Sequence, residues 1–264
     1  MNTAASDRHQ EQLAYWNSSG GERWVAAQEH TDTMLAPVSK ALLDRANLKP
    51  GMAVLDIGCG CGAASLEAAG RVGRAGRVLG MDVSRDMLDR AKARLAARGK
   101  AGGSTPVEFV LADASGYPFT PFADIAISRF GVMFFGDPAQ AFANIAKAIV
   151  PGGRLVFACW RGVQENPWMQ VPLHAVYDAG IPRMPRPGPE DPGPFSFADP
   201  ERVTRILTEA GFSAISPIPA DFSFDIAAGG GLNAATHQAM TIGATHAALR
   251  DQPEALRVVA AGAV

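Results

Sequence analysis

Asp56 is followed by Gly58, Gly60 and Gly62, with Cys59 and Cys61 between them. An apolar run, Met52 to Leu55, precedes the acid, and an Ala-rich run, Ala63 to Ala69, follows the glycines. Glycines between a strand and a helix let the backbone come close to a ligand. The acid adds a condition. A carboxylate repels pyrophosphate, but it holds a cation or accepts hydrogen bonds from one. The group that suits this stretch is a nucleoside with a positive end and no phosphates.

Two more acids repeat the pattern. Asp82 follows Gly80-Met81, and Asp113-Ala114 follows the β-rich run from Val107. Each stands at the end of an expected strand. In an open parallel sheet, ligands bind at those carboxyl ends, where the strand order reverses. Asp82, with Val83 beside it, is placed to accept both hydroxyls of a ribose. Asp113 and Ala114 are placed to meet an adenine edge. Ser128-Arg129-Phe130 ends a fourth expected strand, beside the reactive end of such a ligand. Helix caps and turns account for any one of these acids. Three in succession beside a glycine loop point to a nucleoside site, and S-adenosylmethionine has the required charge and shape.

The elements that must position these residues follow from local signals. Strands are expected at 52–57, 77–82, 107–111, 123–128 and 154–160. Helices are expected at 62–72, 85–98 and 138–149, with Ser84 and the pair Asp137-Pro138 as helix starts and Gly99 as a stop. Repeated β-α-β units of this size predict an α/β fold: a doubly wound, mostly parallel, Rossmann-like sheet with helices on both faces. Before it, two short helices flank Asn17 to Gly21, and Thr31 or Asp32 caps a helix over 32–46. After it comes a Pro-rich loop over 182–200, a helix at 200–210 capped by Asp199-Pro200, and one more strand region from Phe212 to Ile226. Residues 232–264 are Ala-rich and expected to be helical. The domain reading is a helical lid over 1–48, a core over 49–226 with an insert at 162–198, and a helical segment over 227–264.

Composition bounds the class. With 264 residues, 47% of them hydrophobic, the chain can bury a real core. A net charge of −2 implies no basic face for nucleic acid. Three cysteines make no disulfide framework, and Cys59 and Cys61 lack two further ligands nearby, so no metal is expected. The polar start is no signal peptide and no run is long and apolar enough to span a membrane. The expectation is a cytoplasmic protein.

On these residues the stretch 50–160 resembles the class I S-adenosylmethionine-dependent methyltransferases. Val54-Leu55-Asp56-Ile57-Gly58-Cys59-Gly60-Cys61-Gly62 is similar to their first motif, and Gly80-Met81-Asp82-Val83-Ser84 with Met87-Leu88 to their second. Asp113-Ala114 resembles the third and Pro151-Gly152-Gly153-Arg154-Leu155 the fourth. The resemblance implies Asp56 and the glycine loop near the methionine part, Asp82 on the ribose and Met87 against the adenine face. It implies S-adenosylhomocysteine as product. The N-terminal segment and the stretches Cys159-Trp160-Arg161 and Asn166-Pro167-Trp168 resemble the bacterial branch near the ubiquinone and menaquinone methyltransferases. One departure concerns the seventh, antiparallel strand that closes the family's sheet. After Phe224 only Arg257-Val258-Val259 is β-like, so that strand is either cut off or rebuilt.

Methyl transfer from a sulfonium needs mainly alignment, worth about 7–11 kcal/mol, and exclusion of water. A base is needed only where the acceptor must lose a proton. His174 and His30 are the candidates, with ordinary surface or packing roles as the alternative; His9, His237 and His246 have weaker claims. Arg129 either binds an anionic acceptor or pairs with a structural carboxylate. Trp24, Phe130, Phe134, Trp160 and Trp168 cluster outside the strands and suit a planar or apolar small-molecule acceptor and the sulfonium itself. The Trp-bearing N-terminus and the Pro-rich loop are read as lid or as homodimer contact.

Rival readings are weaker. A nicotinamide dehydrogenase wants Gly-x-Gly-x-x-Gly, whereas Ala63-Ala64 follow Gly62 here. An amino-DNA methyltransferase carries its tetrapeptide after strand 4, where this chain has Ser128-Arg129-Phe130-Gly131. An arsenic methyltransferase needs thiols at the acceptor, and only Cys159 lies outside the cofactor loop. A regulatory or partner protein that binds S-adenosylmethionine without catalysis stays open, because its cofactor site is the same.

Overall fold

Ala53, Val54, Leu55, Asp56 and Ile57 are buried without exception, as in a strand covered on both faces. They form β1 (Ala53–Ile57), the middle of a five-stranded sheet in a computed structural model that describes residues 3–98, 106–185, 187–188 and 190–264. The strand order is β3-β2-β1-β4-β5 and every pairing is parallel. The other strands are β2 (Arg77–Asp82), β3 (Val107–Leu111), β4 (Ala123–Arg129) and β5 (Ile149–Ala158). The order reverses between β1 and β4, so Asp56, Asp82 and Arg129 end up at one carboxyl edge.

Alternation along the strands feeds two cores. Val54, Val78, Ile125 and Ile127 face Leu43 of α3 (Gln28–Ala46) and Ala68 and Val72 of α4 (Ala63–Val72). Leu55, Met81 and Ala126 face Phe142 and Ile145 of α6 (Pro138–Ala146) and Val203 and Ile206 of α8 (Pro200–Glu209). Asp137 caps α6 by accepting from the Gln140 amide at 3.0 Å, and Pro138 needs no partner in the first turn.

Several expectations need correction. α1 (Thr3–Trp16) and α2 (Ser19–Ala26) break at Asn17-Ser18, and Gly20 and Gly21 lie inside α2, buried. A Cβ on Gly21 would stand 2.6 Å from Ser84 Oγ, so the missing side chains bring α2 close to the start of α5 (Arg85–Arg98). Ser84 does not cap α5 with its hydroxyl, which is buried without a partner among the described residues. The expected stop at Gly99 lies outside the described residues. Thr31 and Asp32 sit inside α3, which starts at Gln28. From Phe212 to Ile226 no strand forms. Pro217 and Pro219 lack the N–H a ladder needs, and Phe222 and Phe224 turn to other aromatic rings.

Residues of the insert form α7 (Pro167–Asp178). The C-terminal segment forms α9 (Gly231–Thr241), α10 (Ala244–Leu249) and α11 (Glu254–Ala263). Ala248, Leu249 and Ala260 pack on Val176 of α7. Val258 and Val259 are therefore helical, and no strand follows β5 among the described residues. No described helix is long and apolar enough to cross a membrane.

Candidate functional site

The loop after β1 is held from both sides. Gly58, Gly60 and Gly62 have φ of +64°, +54° and +81°, a region open chiefly to glycine. A Cβ on Gly58 would lie 2.7 Å from the Gly131 Cα, and one on Gly60 would lie 2.8 Å from the Met87 Cε. The loop thus threads between the end of β4 and α5. The amides of Gly60 and Ser84 donate to the two carboxylate oxygens of Asp82, each at 2.8 Å. The Cys59 amide donates to the Met81 carbonyl at 3.0 Å.

Asp56 is 1% exposed. Ser65 donates to its Oδ2 at 2.5 Å, while its Oδ1 is buried without a partner among the described residues. Burial pushes its carboxyl up to about 7, against the opposing pull of Ser65 and the Arg129 guanidinium. Burial also raises Asp82, although three backbone amides oppose it. Asp113 accepts from the Ser115 hydroxyl at 2.7 Å, and its Oδ2 lies 2.8 Å from His9 Nε2 of α1. The Ala114 carbonyl accepts from Asn144 at 3.0 Å. Burial pushes the Cys61 thiol up to about 12 and the Cys159 thiol to about 11, so both stay protonated near neutrality.

All of Asp56, Gly58, Cys59, Gly60, Asp82, Val83, Met87, Asp113 and Ala114 line one cavity of about 230 Å³. The same cavity is lined by Trp24, Phe130, Phe134, Trp160 and Trp168. Phe130 and Trp160 stack with centroids 4.1 Å apart and planes 10° from parallel. Trp168 touches Trp160 at 5.4 Å, and Trp16 meets Phe134 edge-on at 5.1 Å. Phe130 holds φ +68°, a conformation bulky residues rarely adopt, at the end of β4.

Other sequence candidates lie elsewhere. Ser128 is fully buried outside the cavity lining, its hydroxyl donated to the Ile57 carbonyl at 2.7 Å to tie β4 to β1. Gly62 is the left-handed residue before α4, packed against Phe109 rather than lining the cavity. His174 is exposed on α7 away from the lining, and His30 bonds the Ile226 carbonyl at 2.6 Å, also outside it. Arg129 does line the cavity, but donates to Ser39 at 2.7 Å and stands 3.6 Å from Asp32. Asp32 also pairs with Arg94 at 2.7 Å, and Arg94 in turn donates to the Cys61 carbonyl at 2.5 Å.

Sequence reasoning missed two walls. One is the face of α3 that carries Gln28, Thr31, Asp32 and Leu35, whose helical spacing was the available signal. The other comes from α9 and α10, through Gln238, Ile242 and Thr245, for which local sequence carries no signal.

Comparison with known proteins agrees with this geometry. A family described as a methyltransferase domain matches residues 54–153. Nocamycin O-methyltransferase of Saccharothrix syringae is 32% identical over 196 residues, 70% of this chain and 68% of that protein. Aklanonic acid methyltransferase of Streptomyces sp. (strain C5) is 35% identical over 121 residues, 46% of this chain. The match spans only 54% of that second relative's length. A solved protein from Methanococcus maripaludis, 21% identical, superposes with a TM-score of 0.56 over 79% of this chain and 91% of its own, and so shares the fold. The ordered acids, the glycine loop at the switch point and the extended likeness to a methyltransferase lead to one conclusion: this chain belongs to the class I S-adenosylmethionine-dependent methyltransferases.

Proposed function

We propose that this chain moves the methyl group of S-adenosylmethionine to an oxygen, nitrogen or carbon of a small, aromatic or apolar acceptor. The observation that carries this reading is one cavity with two kinds of lining. Acids and glycines at the strand ends line it, and so does the aromatic group Phe130, Trp160 and Trp168. The residues fit the cofactor. Asp56 Oδ1 is a buried acceptor without a partner among the described residues, and the missing side chain at Gly60 lets Met87 close onto the loop, its Cε 2.8 Å from where a Cβ would stand.

When bound, S-adenosylmethionine supplies a methyl group already activated on a sulfonium and leaves as S-adenosylhomocysteine. The protein's share is placement. Asp56 faces the positive end and Asp82 the ribose, while Met87, Asp113 and Ala114 frame the adenine. The stacked Phe130 and Trp160 seat the acceptor and keep water out. The helices before residue 49 act as a lid over a core that starts there, and α9 and α10 add a wall to its cavity. Alignment of this kind is worth about 7–11 kcal/mol. The two relatives are named for small-molecule acceptors, which supports a small-molecule acceptor here.

Methyl-labelled S-adenosylmethionine with a panel of phenols, quinols and amines tests this. Label in an acceptor, together with S-adenosylhomocysteine, supports the reading. Tight binding of S-adenosylhomocysteine without transfer to any member of the panel overturns it in favour of a binding protein without catalysis.

A further inference from the structure

Gln238 and Thr245, on the two C-terminal helices α9 and α10, are 4% and 3% exposed, yet both line the cavity. Thr31 of α3, at 2% exposure, lines it too. The Gln238 amide nitrogen reaches the Thr31 hydroxyl at 3.5 Å, the limit of a hydrogen bond. Among the described residues, the Gln238 amide oxygen, the Thr31 hydroxyl proton and the Thr245 hydroxyl take part in no further hydrogen bond, and the Gln238 and Thr245 oxygens are not sealed off from the cavity space. Three polar groups with spare hydrogen-bonding capacity that line one cavity suit a ligand carrying polar atoms there. Gln28 nearby is different: its amide is used on both sides, by Asp32 at 2.6 Å and Arg90 at 2.8 Å.

The rest of the lining contrasts with this wall. Phe130 and Trp160 offer a stacked, apolar surface that Trp24 and Phe134 extend, and Trp168 adds beside it an indole Nε1 buried without a partner among the described residues. A site with an aromatic wall and a short polar wall selects a flat ring that carries oxygens on one edge.

We infer that α9 and α10 are the acceptor-selecting element: Gln238 and Thr245, with Thr31, hold hydroxyl or carbonyl oxygens on the edge of a planar ring seated against Phe130 and Trp160. This rests on the proposed small-molecule methyl transfer and adds to it the oxygen pattern of the acceptor. A site built to bond an oxygen discriminates strongly against an analogue lacking it, because its own buried polar groups are then left unpaired.

Binding can be read without turnover. The protein is saturated with S-adenosylhomocysteine, and calorimetry compares naphthalene with naphthalene-2,3-diol. The wild type is expected to prefer the diol by roughly tenfold or more, a single lost bond to a buried polar group being worth about that factor. The near-isosteric Gln238→Met and Thr245→Val are each expected to cut that preference several-fold, with naphthalene and S-adenosylhomocysteine affinities unchanged within about twofold. Thr31→Val serves as the replacement for a variant that fails to fold. Equal loss of both ring compounds in the variants means packing alone and overturns the inference, as does an undiminished preference. A wild type that binds both rings equally also overturns it, while leaving an aromatic acceptor standing. A wild type that binds S-adenosylhomocysteine but neither ring overturns the acceptor reading itself.

Discussion

The Gly60 amide donates to Oδ2 of Asp82 at 2.8 Å, so the end of β2 holds the loop that leaves β1. The two segments are 22 residues apart in sequence. The other carboxylate oxygen of Asp82 takes the Ser84 amide at the start of α5. One side chain thereby joins two loops that the proposed cofactor must touch, and each oxygen keeps a lone pair for a ribose hydroxyl.

Asp82→Ala removes both the anchor and the ribose acceptor. Hydrogen bonds to a charged group contribute about 1.5–3 kcal/mol each. S-adenosylhomocysteine affinity is expected to fall by roughly a hundredfold or more, and the thermal shift it produces in the wild type should vanish. Asp82→Asn keeps the shape and should fall between. Calorimetric titration of the three proteins checks this; retention of wild-type affinity in Asp82→Ala would remove Asp82 from the cofactor site.

Asp56 imposes a pH dependence. Its carboxyl is ordinary in the unfolded chain, near 3.8, and raised to about 7 in the fold by burial. Between those values the folded protein holds a proton that the unfolded chain has released. Stability from this group is therefore intact below about pH 4, falls by about 1.4 kcal/mol per pH unit up to about pH 7, and is level above that. Asp56→Asn cannot ionise and lacks this slope. Urea unfolding of the cofactor-free proteins across that window should show wild type losing stability relative to the variant as pH rises. Parallel curves would mean Asp56 titrates normally. S-adenosylmethionine, whose positive charge favours the ionised carboxylate, should bind more tightly at about pH 8 than at about pH 6 in wild type only.

His9 Nε2 stands 2.8 Å from Asp113 Oδ2, with both side chains about a quarter exposed, and Asn17 donates to the Val83 carbonyl at 2.9 Å. Both contacts tie the helices before the core to strand ends that line the cavity. Partly exposed pairs contribute little to stability, about 0–1 kcal/mol. His9→Ala should then leave the melting temperature within a few degrees of wild type but weaken S-adenosylhomocysteine several-fold, mainly through faster release. Stopped-flow dissociation measures that rate. An unchanged rate would mean α1 does not gate the site.

How much of this was legible in sequence depends on the range of the interaction. β2, β3 and α5 match the expected residues because Gly76, Pro106 and the periodic helix 85–98 are local signals. The acids at the strand ends were legible for the same reason: strand ends and glycines set where they sit. Ser128 shows the limit. Its place at the end of β4 was foreseeable, but its hydroxyl turns to the Ile57 carbonyl, 71 residues away, and is spent there. The wall from α9 and α10 is a stronger case. Gln238 meets Thr31 across 207 residues, and no local pattern reports such a contact. Val258 and Val259 favour a strand by propensity, yet α11 is helical because Ala260 is buried against the α7 core.

Phe130 sets strain against packing. Its φ of +68° costs about 1–2 kcal/mol for a residue with a Cβ. Its ring lies 4.1 Å from Trp160, and such burial and stacking contribute about 2–4 kcal/mol together. Phe130→Gly relieves the first and loses the second, so the two changes partly cancel. Net destabilisation should be about 1–2 kcal/mol, less than Phe130→Ala, which keeps the strain and loses the ring. Turnover behaves differently, because the lost ring is part of the proposed acceptor wall while the relieved strain returns nothing to it. Both variants should lose at least about tenfold in kcat/KM for an aromatic acceptor, with S-adenosylhomocysteine affinity near wild type. Denaturant unfolding beside steady-state kinetics separates the two effects. If Phe130→Gly is as unstable as Phe130→Ala, the backbone at Phe130 stores no strain, and the left-handed turn there is set by packing alone.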